Sequence, residues 1–85
     1  MEKLLAELKV KIIETLSLLD VSPEDIADDA QLVGGSLGID SIDVLELVLM
    51  LEKDYGVKIE TKEVGVTAFA SLRALAEFVQ KNRVK

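Results

Sequence analysis

The stretch "LGIDSIDVLELVLMLEKDYGVKIE", Leu37 to Glu60, decides how this chain folds. It sets one serine between acids at the head of an apolar run. Asp40 can accept hydrogen bonds from the backbone amides of a first helical turn, and Asp43, three residues on, suits the partial positive charge there. The pattern predicts a helix that opens at "DSID" and stops at Gly56, a natural left-handed terminator just past Tyr55. The apolar set Ile42, Val44, Leu45, Leu47, Val48, Leu49, Met50 and Leu51 is wider than one stripe. Such a helix is either central in a bundle or partly exposed for a partner. Leu45, Val48, Leu49 and Leu51 are expected to be mostly core.

Outward from this helix, Leu5, Leu8, Ile12, Leu16 and Leu19 recur at helical spacing with charges on the other faces, which predicts a first amphipathic helix ending near Leu19. A long connection follows, "DVSPEDIADDAQLVGGSLG", rich in acids and glycine and without sustained periodicity. Within it Ser22-Pro23-Glu24-Asp25 reads as a cap, a proline at the first helical position and acids in a first turn. On the far side, "VKIETKEVGVTAF" has room for little more than one turn, begun by Thr61. Ser71 opens a last helix with Leu72, Leu75, Phe78 and Val79 on one side. The expected fold is all-α: a four-helix bundle with a short third helix and a long loop between helices one and two, filling one domain over residues 1–85.

Composition excludes more than it assigns. There is no cysteine, hence no disulfide and no thiolate metal site, and no histidine, hence no Ser-His or Cys-His nucleophilic pair and no ordinary proton shuttle near neutral pH. The net charge is -6, and residues 23–60 hold ten acids against two bases. A polyanion such as nucleic acid would be repelled. The opening Met1-Glu2-Lys3 does not suit a signal peptide, and the longest run of large apolar residues, Leu47 to Leu51, is too short to span a membrane. A soluble, cytoplasmic monomer is expected. A calcium loop from Asp20 fails, because Asp25 and Gln31 stand where glycine and glutamate are needed, and no metal site is expected.

Ser41 has no base, lacks the glycine that follows the nucleophile in a strained elbow, and sits between acids that disfavour an alkoxide. No catalytic residue is therefore assigned. Taken alone, Asp40 or Ser41 at this place commonly means a helix cap and nothing more.

The segment "LGIDSIDVLELVLMLEKDYGVKI" resembles the acyl carrier protein family, whose signature Gly-x-Asp-Ser-Leu opens the second helix; here it reads Gly38, Ile39, Asp40, Ser41, Ile42. The likeness extends to the length, the acidity, "DDAQL", Gly56 after an aromatic residue, and "SLRALAEFV". By that resemblance, a phosphopantetheinyl transferase would attach 4'-phosphopantetheine from coenzyme A to Ser41, with Asp40 flanking the site. A chain without thiols would thus gain one on a flexible tether. The resemblance also implies that the second helix is the recognition helix. Basic patches on acyl synthases, transferases and tailoring enzymes would meet Asp43 and Glu46 on a ridge continuing through Met50 and Asp54, with Ile42, Leu49 and Met50 adding apolar contact. An acyl chain could be shielded between helices.

Three departures from the family pattern bear on cargo. Isoleucine replaces leucine at Ile42, "LVGGSLG" is about one residue longer and less acidic, and "ETKEVGV" holds only Glu60 and Glu63 as acids. Fatty-acid, polyketide and specialised lipid pathways all stay open. The alternatives are an aminoacyl or peptidyl carrier, whose motif more often resembles Gly-Gly-x-Ser-Leu, and an unmodified acidic helical interaction module. A stand-alone carrier is expected over an excised module, from the initial methionine and the absence of linker composition.

Overall fold

The computed structural model describes residues 2–35 and 38–84, the side chain of Lys62 excepted. Among the described residues four helices follow one another: α1 (Glu2–Leu16), α2 (Ser41–Tyr55), α3 (Lys62–Ala68) and α4 (Leu72–Asn82), with a 3-10 turn at Pro23–Asp25 in the long loop. The described residues form no strand, only the isolated bridges Gln31 to Ser71 and Val33 to Ile39. Helix α1 is the hub, with α2 and α4 both packed on it, while α3 packs on α4. The all-α bundle with a short third helix and a long first crossover is as the sequence predicts.

Local chemistry explains each boundary. Helix α1 stops at Leu16, earlier than its periodicity suggests, because Ser17 turns left-handed at φ 53°. The Leu18 amide then donates back to the Ile13 carbonyl at 3.0 Å and the Ser17 amide to Glu14 at 3.4 Å, a Schellman closure with serine in the usual glycine place. Leu19 is thereby thrown out of the apolar stripe and is 93% exposed. Helix α2 ends as expected at Gly56, φ 66°. Helix α3 runs seven residues, longer than the single turn expected, capped by the Thr61 hydroxyl accepting from the Val64 amide. Ser71 caps α4 in the same way through the Ala74 amide.

The long loop is part of the core despite its lack of periodicity. Ile26, Leu32 and Ile39 are fully buried against Leu8 and Ile12 of α1, Leu47 and Leu51 of α2, and Leu72, Leu75 and Val79 of α4 in one cluster. Its backbone is tied down where the Leu72 amide donates to the Ala30 carbonyl at 2.9 Å. Two ion pairs hold its acids, Lys9 with Asp28 at 2.7 Å and Arg73 with Asp29 at 2.6 Å. At Gly35 the chain passes so close to itself that a Cβ would lie 2.3 Å from the Gln31 carbonyl oxygen, so no other residue fits. Ser36 and Leu37 of "LVGGSLG" lie outside the described residues.

Candidate functional site

Helix α2 begins through a reciprocal cap. Asp40 is extended, and its Oδ1 accepts from the Ile42 and Asp43 amides, each at 3.0 Å, while Asp43 Oδ2 accepts from the Asp40 amide at 3.2 Å. This is a capping box built from two aspartates. It leaves Ser41 at the first helical position, exposed, with its hydroxyl in no hydrogen bond among the described residues. Capping and presentation are therefore divided between neighbours: Asp40 holds the helix end and Ser41 offers a free hydroxyl.

Beside Ser41 opens an apolar cavity of about 690 Å³ between α2 and α3. Val44, Leu45 and Val48 form the α2 wall and Gly65, Val66 and Phe69 the opposite one. Leu45 and Val66 stand at its mouth, 64% and 66% exposed. Ile59 lines it from the α2–α3 connection, and Gln31 and Val33 come from the long loop. Leu45, expected in the core, is instead about two-thirds exposed because the buried sector of α2 turns toward α1, and Leu49, expected among both the core residues and the partner contacts, is exposed to the same degree.

The same rotation corrects the docking ridge. Ile42 and Leu49 are exposed, at 69% and 67%, and Glu46 lies with them on the open face. Met50, expected to add partner contact, is 7% exposed and belongs to the core with Leu47, Leu51 and Tyr55. Met50 lies four residues on from Glu46, about 40° round the helix, so it sits at the edge of the open face on the side that turns inward toward the buried Leu47. Asp54 is taken by Lys11 of α1 at 3.1 Å, and Asp43 is half-buried and occupied in the cap. The ridge from Asp43 to Asp54 is thus broken at Met50, and the open face mixes Glu46 and Glu52 with apolar Ile42, Leu45 and Leu49.

Below the site, Tyr55 fixes the far end of α2. Its hydroxyl donates to Glu7 of α1, the Arg83 guanidinium lies 5.1 Å from its ring centre, and its carbonyl accepts from the Val84 amide at 3.0 Å. Burial, then the Glu7 bond, pushes the phenol well above its ordinary pKa. Among the described residues no group of three or more acids could hold a metal ion, and no helix is long and apolar enough to cross a membrane.

A phosphopantetheine arm fits these residues in two respects. The hydroxyl it needs is exposed, and the cavity beside it suits an apolar chain. Two first-turn amides already serve Asp40, so a phosphodiester on Ser41 would be favoured by the helix dipole and not by those amides.

Comparison with known proteins points the same way. A family model described as "Phosphopantetheine attachment site" matches residues 10–79. Among curated proteins, the acyl carrier protein of Syntrophobacter fumaroxidans is 32% identical over 92% of this chain and 94% of its own length. Those of Buchnera aphidicola and Wolinella succinogenes are each 31% identical, over 79% and 76% of this chain and 80% and 82% of theirs. No solved structure gives a significant match. With the family model covering most of the chain and curated relatives aligned along most of both lengths, the chain belongs to the acyl carrier protein family, whose carrier domains bear a covalently attached 4'-phosphopantetheine.

Proposed function

We propose that Ser41 is the residue that bears the arm, and that residues 1–85 act as one cytoplasmic carrier domain presenting acyl intermediates to fatty-acid, polyketide or specialised lipid enzymes. The observation that carries this reading is the exposed Ser41 hydroxyl, released from capping by Asp40, at the edge of the apolar cavity. When attached, the arm supplies the thiol that holds cargo as a thioester.

The chain's own residues do the rest. Asp40 and Asp43 hold the helix start so that the hydroxyl projects into solvent. With no histidine in the chain, the base that takes the serine proton comes from the transferase. Glu46 and Glu52 favour encounter with basic enzyme surfaces, while Ile42 and Leu49 provide apolar contact on the same face. The cavity wall of Val44, Val48 and Phe69 shields an apolar cargo from water.

The test is intact mass after incubation with coenzyme A and a broad-specificity phosphopantetheinyl transferase. One phosphopantetheine gained by the parent and none by Ser41→Ala is the expected result. Attachment to Ser41→Ala would place the arm elsewhere, and no attachment to the parent beside a modified control carrier would favour the unmodified interaction module.

A further inference from the structure

Gly65 stands in the interior of α3, in regular helix: its amide donates to the Thr61 carbonyl at 3.1 Å and its carbonyl accepts from the Phe69 amide at 2.9 Å. Its backbone needs no glycine, since its φ is not positive. Glycine is the poorest helix former after proline, so its presence in so short a helix calls for a reason in packing. A Cβ built there meets only Ile59 Cγ2, at 3.4 Å, an ordinary contact. The surrounding protein would therefore accept a side chain. What such a side chain would occupy is the cavity, which Gly65 and Ile59 both line.

We infer that the bare backbone at Gly65 sets the length of acyl chain this cavity accepts, by leaving open the space on the α3 wall that any side chain would fill. The inference rests on the reading that cargo is tethered at Ser41. Helix α3 thereby gives up helix stability in exchange for cavity depth. Alanine at this position should stabilise the helix and narrow the cavity slightly, and leucine should take up much of the room along the α3 wall.

The experiment loads parent, Gly65→Ala and Gly65→Leu with the pantetheine arm alone and with butyryl, octanoyl and palmitoyl arms, using a permissive transferase and the matching acyl-coenzyme A, with mass recording attachment. Two readouts follow: the Tm of each form against its own unacylated form, and the rate at which hydroxylamine cleaves the thioester. A chain that binds only the folded state raises Tm. In the parent the rise should grow from butyryl to palmitoyl, reaching about 5 °C, while cleavage slows. In Gly65→Leu the rise should stop at butyryl, with octanoyl and palmitoyl thioesters cleaved as fast as in a small-molecule thioester. Gly65→Ala should start from a higher unacylated Tm and show a smaller palmitoyl increment, which keeps the test alive if the leucine variant fails to fold. Identical length profiles in parent and variants would overturn the inference, as would a parent that loads but shows no dependence on length. Failure of loading itself shows in the mass and counts against the Ser41 reading alone. Titration with free palmitate then tests Gly65 directly: weaker uptake by the variants supports the inference, and equal uptake overturns it.

Discussion

The two ends of α2 are built for opposite purposes. From Leu47 onward it sends Leu47, Met50, Leu51 and Tyr55 into the core, and adds the Lys11 to Asp54 pair and the Tyr55 to Glu7 bond to α1. Its N-terminal turn is held by its own capping box, with Ser41 and Ile42 in solvent. The difference teaches how a small helix can be rigid and presentable at once: one end anchors, so the other needs no packing to be well placed. Stability and function should therefore separate along a single helix.

Substitutions graded from the anchored end to the free end test that separation. Leu47→Ala should be the most costly, about 2–5 kcal/mol by chemical denaturation, because Leu47 is fully buried and its loss leaves a cavity. A cost below about 1 kcal/mol would mean that the anchored part of α2 is loosely packed. Next, Tyr55→Phe should cost about 1–2 kcal/mol through the lost bond to Glu7, and it should change the alkaline limb of stability. The folded phenol has its pKa raised above the unfolded value near 10, so its contribution is complete below about pH 10 and is lost as pH rises beyond it. The phenylalanine variant should lose that part of the alkaline decline, and an unaltered decline would remove Tyr55 from its cause. At the free end, Asp40→Ala should cost about 1 kcal/mol, the value of a helix cap, and slow arm attachment by loosening the turn that holds Ser41. Smallest of all, Ser41→Ala should shift stability by less than about 0.5 kcal/mol while abolishing attachment. A large loss of stability there would merge the two ends that the structure keeps apart.

How much of this was legible beforehand follows from the kind of signal each part carries. The start and stop of α2 could be read because they rest on local chemistry: two aspartates at capping spacing and a glycine past an aromatic residue. The Asp40 cap, the place of Ser41 at the helix start and the family likeness were legible from the same short motif. The open face of α2 was not, since apolar residues nearly all round the helix erase the periodicity that would show which side is buried, and so Met50 was set outside and Leu45 inside. Leu19 was misread because a serine, not a glycine, turns the chain at the end of α1. The buried Ile26, Leu32 and Ile39 belong to a loop whose core positions follow no period at all. The cavity is further still from the sequence, being the space left when α3 is positioned by α4.

That last arrangement makes cavity width a soft coordinate. Among the described residues, α2 and α3 pack less closely across the cavity than the α1–α2, α1–α4 and α3–α4 pairs do. Widening it therefore separates no pair of helices as closely packed as those three. On the proposed reading, in which the cavity shelters an apolar cargo, entry and release would then require only small displacements of one short helix.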